Sequence, residues 1–421
     1  MNIIETFYHR YIFLFFNFII SYFFIALVII PKAYSSGVIL IIFSVFLIIY
    51  SLIKNKSILV LKNKNYYFFI APFFIYFFLY ISSIFIHHDS IKVLDNASRG
   101  ICFLLLFLLI KVYPLSLKNL LYSIPLSGIL TGCYAFYQKF FLHYDRALSD
   151  TTYVIQSGDM AMSIGMFSLA LMFYCWRNKQ YYLTFLCILG TFGGMLGSFL
   201  SATRGGWLLM PFIILTLFYF NRHILTKKII LSFFVSLLAI ISVLLMIPSA
   251  KMLSQIERAY IEVVNSGKAS NSNTSVGARL DLWKASILMI TEKPMLGWGE
   301  KGAKDRRKEL GNLGKLATYP ANLGHAHNQY LNDFLERGIF GFFALLGIFL
   351  LPLYAFIRDY KKYKENEEVK LFATLGIIHI TSVMSYGLTQ VFFAHNSGNM
   401  FYFFLTVLFY AMLLSHKKQR I

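Results

Sequence analysis

The sequence predicts an all-α polytopic membrane protein, and three observations carry this prediction. The chain has 421 residues, of which 58% are hydrophobic and only 14% charged, whereas a soluble domain carries about a quarter charged residues. Its apolar residues form about twelve blocks of roughly 20 residues, the length that an α-helix needs to cross a bilayer. Between these blocks, Lys and Arg gather in alternate loops.

The predicted spans leave one long polar region uninterrupted. They lie near residues 11–30, 36–53, 66–86, 100–113, 119–138, 158–176, 181–200, 206–221, 228–247, 338–357, 370–388 and 398–415. The chain therefore divides into nine transmembrane helices over 1–247, a polar region over 248–337, and three more spans with a tail over 338–421.

The basic loops set the orientation of the spans. Lys and Arg follow every even-numbered span, as Lys54 and Lys56 follow the second and Arg358 and Lys361 the tenth. Because such residues mark cytoplasmic loops, we expect both termini in the cytoplasm and the region 248–337 in the periplasm. The same rule explains the formal net charge of +20, so nucleic acid is not an expected partner.

The region 248–337 is much longer than an ordinary connection, and such loops are often functional. Apolar residues recur at helical spacing over 279–290, which predicts an amphipathic helix in the headgroup layer that Pro294 ends. The Lys-, Arg- and Gly-rich segment 302–316 is predicted to be a mobile connector. A second helix is expected to run from His325 into the tenth span.

Two arginines are candidate anion-binding residues on the outer face. Arg204 follows the seventh span and is flanked by Gly205 and Gly206, which would let a phosphate approach the backbone. Arg279 is expected at the start of the amphipathic helix, where free N–H groups also attract anions. The alternatives are a snorkelling Arg204 and an Arg279 that contacts lipid phosphates.

The pair His325 and His327 supplies a candidate general base, because imidazole is the side chain best suited to accept a proton near neutral pH. Two residues apart, these histidines do not share a helix face and are poor joint metal ligands. The nearby Asp333 and Glu336 complete no recognisable ligand pattern, so we expect no metal and no other cofactor. Polar packing at the bilayer surface is the alternative for both histidines.

Three segments resemble the O-antigen ligase and polymerase superfamily of bacterial envelope proteins. The resemblance extends over residues 201–341, and the number of spans and the single large loop agree with it. The segments are Thr203-Arg204-Gly205, then Gly277-Ala278-Arg279 with Pro294…Gly297-Trp298-Gly299, and His325-Ala326-His327-Asn328 followed by Leu331 and Gly338.

This resemblance implies a metal-independent, inner-membrane glycosyltransferase of the GT-C type that acts in lipopolysaccharide biosynthesis. Its donor would be an undecaprenyl-diphosphate-linked glycan and its acceptor a lipid A-core sugar hydroxyl. Carried onto this chain, Arg204 and Arg279 would hold the diphosphate and His327 would activate the acceptor, with His325 as the second choice. Membrane lipids and other O-antigen assembly proteins are the further expected partners.

Two other functions stay open at this point. A polymerase of the same superfamily is the first alternative, although polymerases more often spread their arginines over two periplasmic loops. A polysaccharide flippase or transporter is the second; it would need charged residues near the bilayer midplane, and the predicted spans hold almost none.

Overall fold

The computed structural model describes residues 3–53, 64–246, 257, 260–261 and 275–417. This part of the chain is helical and contains no β-strand. The predicted boundary at 247/248 and the basic residues Lys54 and Lys56 lie outside it. The helices are α1 Ile3–Ala26, α2 Gly37–Ile53, α3 Lys64–His87, α4 Val93–Phe103, α5 Leu106–Val112, α6 Leu117–Phe140, α7 Val154–Arg177, α8 Tyr181–Leu200, α9 Gly205–Leu208, α10 Met210–Phe220, α11 Lys227–Met246, α12 Ser275–Glu292, α13 Gly299–Asn312, α14 Thr318–Ala321, α15 Gln329–Lys362, α16 Glu367–Tyr386 and α17 Asn396–Lys417.

Within the described residues, nine helical segments are long and apolar enough to cross a membrane. The predicted spans 11–30, 206–221 and 228–247 correspond to the shorter apolar helices Arg10–Ala26, Gly205–Phe220 and Ile230–Ala239. The all-helical, polytopic class is thereby confirmed, while the count of twelve spans and the GT-C arrangement stay predictions.

The membrane bundle is built around α7 and α17, whose apolar windows are 100% and 94% buried. Small residues let neighbouring helices approach closely, as is common inside membranes. A Cβ on Gly128 of α6 would lie 2.2 Å from the carbonyl oxygen of Gly190 in α8. Only glycine fits this crossing, which fixes the helices that lead to the loop around Arg204.

A second, smaller hydrophobic core joins α12, α13, α14 and the first turns of α15. Its buried members are Ala285, Met289, Ala303, Leu310, Leu316, Ala321 and Leu335. A helix is confirmed over the predicted residues, since α12 contains residues 279–290 and ends before Pro294, while its place in the headgroup layer stays a prediction. It begins one turn earlier than expected, at Ser275, so Arg279 does not lie among the free N–H groups of its first turn.

The prediction of a mobile connector over 302–316 was wrong, because most of this segment belongs to α13. Ala303, Arg307 and Leu310 recur at helical spacing and bury one face of that helix. A remote carboxylate caps its start: the N–H groups of Glu300 and Lys301 donate to Asp89, 3.0 and 3.3 Å away, from the loop after α3. Such a cap cannot be read from local sequence.

The Pro294–Gly299 segment is a backbone junction between α12 and α15. At Gly338, α15 departs from helical geometry, with φ 63° and ψ −160°. There the N–H of Ile339 donates to the carbonyl of Pro294 (2.9 Å), and the N–H of Trp298 donates to that of Leu335 (3.0 Å). A Cβ on Gly338 would lie 2.0 Å from the carbonyl oxygen of Met295, so this motif serves packing.

The helix predicted to start at His325 instead begins at Gln329. The side chain of Asn328 caps α15 by accepting a hydrogen bond from the N–H of Leu331 (3.0 Å). His325 and His327 therefore lie in the non-helical segment that precedes α15, where His327 adopts a positive φ of 50°.

Candidate active site

Three arginines from three segments approach one another at one end of the bundle. Arg204 is exposed at the start of α9, Arg279 is partly buried in α12, and Arg146 comes from the α6–α7 loop. Burial lowers the pKa of Arg146, and the charges of Arg204 and Arg279 lower it further. Arg146 thus interacts electrostatically with both of the other arginines; we call the three the arginine group.

Arg146 is fixed by the chain that leads into Arg204. Its Nε donates to the carbonyl oxygen of Ser201 (2.9 Å), and its Nη2 lies 3.4 Å from the carbonyl oxygen of Ala202 and from Oγ1 of Thr203. Sequence reasoning missed this residue. The available signal was a lone arginine in the loop after the fifth predicted span, where the positive-inside rule expects few positive charges.

A buried carboxylate, that of Asp159 in α7, lies behind the arginine group. It interacts electrostatically with Arg279 and Arg146, and neither oxygen has a hydrogen-bond partner among the described residues. A Cβ on Gly206 or Gly205 would lie 3.2 or 3.4 Å from Oδ1 of Asp159. The close approach that these glycines permit is thus made by a carboxylate. An acidic residue in an apolar run was the missed signal.

Three histidines form the opposite side of the site. The ring centroids of His325 and His327 are 4.4 Å apart, and those of His325 and His395 are 6.1 Å apart. Burial, and after it Arg279, His395 and Arg307, lower the pKa of His327 to about 4. Burial also lowers the pKa of His325 to about 3, with His327 as the next cause. Both imidazoles are therefore neutral at neutral pH, as a general base must be.

The coupling between Arg279 and His327 connects the two sides of the site. The electrostatic interactions run from Arg204 to Arg146, from Arg146 to Arg279 and from Arg279 to His327, whose ring lies beside that of His325. No group of three or more His, Cys, Asp or Glu side chains in the described ranges is arranged to hold a metal ion. The arrangement suits an anion at the arginines beside a hydroxyl that loses a proton to imidazole.

Comparison with known proteins adds three matches. Residues 189–346 match the family model described as O-antigen ligase, a range that includes both histidines of the pair as well as Arg204 and Arg279. The chain is 35% identical over 387 residues to an uncharacterized protein of Haemophilus influenzae, covering 92% of this chain and 95% of that protein. It is 25% identical over 272 residues to a protein named O-antigen ligase in Escherichia coli, covering 62% of this chain and 60% of that one.

Proposed function

Because the chain belongs to the O-antigen ligase superfamily, we propose that it transfers undecaprenyl-diphosphate-linked O-polysaccharide to a sugar hydroxyl of lipid A-core. The reaction takes place at the periplasmic face of the inner membrane, with both termini cytoplasmic and residues 248–337 periplasmic. The observation that carries this proposal is the placement of His325 and His327, whose ring centroids lie 4.4 Å apart, in a segment that interacts electrostatically with Arg279.

The arginine group binds the donor diphosphate. A guanidinium holds phosphate oxygens in two places and stays charged at every physiological pH. As the bond between the sugar carbon and the diphosphate oxygen breaks, negative charge grows on the leaving group, and Arg204, Arg279 and Arg146 stabilise it. Undecaprenyl diphosphate is the product that leaves.

His327 is the general base, and His325 is the second choice. The acceptor hydroxyl oxygen attacks the sugar carbon and passes its proton to the imidazole of His327. Of the two histidines, His327 is the one whose pKa is lowered by Arg279. The N–H of His327 also lies 3.4 Å from Nδ1 of His325, so His325 has a structural role available to it. The positive charge at the leaving group comes from arginine, and the mechanism requires no metal.

A polymerase of the same superfamily is the second candidate. One observation favours it: the arginine group draws on more than one connection, since Arg146 precedes α7 while Arg279 lies in α12. A polymerase would join one lipid-linked glycan to another, with the same leaving group and the same base.

A deletion strain separates the two candidates by what it accumulates. Loss of a ligase leaves long unligated polysaccharide on the lipid carrier, whereas loss of a polymerase leaves single repeat units on lipid A-core. A strain with normal surface polysaccharide and no accumulated intermediate would contradict both.

A further inference from the structure

Arg307 is a buried arginine that the proposed reaction does not use. It lies in the middle of α13, and only 1% of it is exposed, although arginine is almost never fully buried without a partner. Its neighbour Arg306 is the ordinary case, because its guanidinium pairs with Glu292 at the end of α12 and with Glu309 of α13. The burial of Arg307 therefore calls for a specific reason.

The contact that Arg307 makes is with the segment that carries the histidines. Its Nη2 donates to the carbonyl oxygen of Gly324 (2.8 Å), the residue before His325. Its Nε and Nη1 have no hydrogen-bond partner in the described part of the chain. A buried guanidinium that leaves donors unsatisfied costs folding free energy, and its electrostatic interaction with Glu336 of α15 offsets part of this cost.

A second side chain, from α15, holds the same segment. Oδ1 of Asn332 accepts a hydrogen bond from the N–H of Ala326 (3.2 Å), and its Nδ2 donates to Oε1 of Glu336 (2.9 Å). The segment is thus attached at Gly324 to α13 and at Ala326 to α15. His325 lies between these two attachments, and His327 follows the second.

From this geometry we propose that Arg307 is a positioning residue: from α13 it fixes the His325–His327 segment in the orientation that general-base transfer requires. This inference rests on the proposed function. Small displacements of a reacting group reduce rates by large factors, so a clamp beside the base has a measurable effect on turnover. The cap that Asp89 places on α13 ties the clamp to the membrane bundle.

The charge of Arg307 gives the test a second readout. Four charged or titratable groups interact with His327: Arg279 of α12, His395 of the loop before α17, Arg307 of α13 and His325 of its own segment. His325 also faces Lys304. Loss of the Arg307 charge should raise the pKa of His327, so the acidic limb of the rate profile should move to higher pH.

The experiment compares R307M with R306M in full-length protein reconstituted in vesicles with a lipid-linked glycan donor. We expect R307M to lower kcat about tenfold while the donor KM changes less than about twofold, and R306M to lower neither. R307K keeps the charge, so its acidic limb should stay in place while its kcat falls less. Equal kcat in R307M and R306M overturns the proposal, as does a rise in KM alone.

A measurement without turnover separates this proposal from the proposed function. Hydrogen exchange of the amides of residues 324–328 should be faster in R307M than in R306M, whatever reaction the protein catalyses. If R307M does not accumulate in membranes, the same two measurements are made on R307K. Unchanged amide exchange over residues 324–328 together with an unchanged kcat in R307K would then contradict the positioning role of Arg307. A wild-type protein that transfers no glycan contradicts the proposed function alone.

Discussion

The arginine group and the histidine segment meet at one site but are held in different ways. Arg204 is exposed, and the group is backed by Asp159, a carboxylate with no hydrogen bond among the described residues. The histidine segment carries neutral rings and is attached by hydrogen bonds at Gly324 and Ala326. The first arrangement depends on charge and the second on geometry. Because the two arrangements depend on different properties, a substitution can disrupt one of them and leave the other intact.

Arg279 is the residue whose loss should do the most damage, because it is coupled to both Asp159 and His327. We expect R279A to lower transfer by about 100-fold or more, by removal of charge stabilisation at the leaving group. R279K should recover part of it, since lysine offers charge without the two-pronged geometry. The measurement is glycan transfer per amount of membrane-inserted protein.

A suitable control for Arg279 is Arg222, which stacks 4.5 Å from the ring centroid of Tyr219 after α10. The R222A protein should transfer glycan at the wild-type rate. This result would show that the effect of R279A is specific to Arg279 and does not follow from the loss of any arginine. Normal surface polysaccharide in the R279A strain would exclude Arg279 from the diphosphate site.

His327 should give the next largest effect, and of a different kind. H327A should lower kcat by about 10²-fold, the lower end of the usual contribution of general acid–base catalysis, while donor binding stays as in wild type. H325A should fall between H327A and wild type if His325 only supports its neighbour. Rates and donor binding are measured on the same vesicles; a fully active H327A protein would assign the base elsewhere.

The acidity of His327 predicts where activity is lost at low pH. A base works only when it is unprotonated, and burial together with Arg279 lowers the pKa of His327 to about 4 from an ordinary value near 6.5. The acidic limb of kcat/KM, which reports the free enzyme, should therefore lie near pH 4. A limb near pH 6.5 would mean that this imidazole is solvated in the working enzyme.

Substitution of Asp159 tests the charge dependence of the arginine group and should have a smaller effect than substitution of Arg279 or His327. Where the Asp159 carboxyl is ionised, D159N removes one negative charge behind the arginine group and keeps the shape of the side chain, so inorganic pyrophosphate should bind about threefold to tenfold more tightly. Release of undecaprenyl diphosphate should slow by a similar factor. Isothermal titration with pyrophosphate checks the sign. Weaker binding in D159N would mean that the carboxylate instead orients the guanidinium groups.

The two halves also differ in how far the sequence could predict them. Arg204 stands at the end of an apolar block, and Arg279 and the histidine pair stand in the long polar region, so hydropathy and spacing were enough to select them as candidates. Asp159 and Arg146 were missed because their meaning depends on which helices neighbour each other. Hydropathy placed Asp159 inside a span, and no local pattern relates it to Gly205.

The extramembrane helix α13 was mispredicted for a related reason. Its many charges resemble a solvated connector, but the helix is stabilised by contacts that are remote in sequence. Asp89 caps it from the loop after α3, and its buried face packs on residues of α12 and α15. The fourth predicted span starts too late, because α4 already begins at Val93. The charged residues Asp95 and Arg99 lower the hydropathy of its first turns, although in the structure they form an ion pair of 2.8 Å.

Removal of metal ions by a chelator should have the smallest effect on the transfer rate. This experiment tests whether the arginine group stabilises the diphosphate leaving group without a metal ion. In many phosphoryl- and glycosyl-transfer sites a divalent cation offsets the charge of a diphosphate. Here three guanidinium groups approach one another and remain charged without a metal. Transfer in excess EDTA should therefore stay within about twofold of the untreated rate. A strict requirement for added Mg²⁺ or Mn²⁺ would mean that arginine charge alone does not stabilise the leaving group.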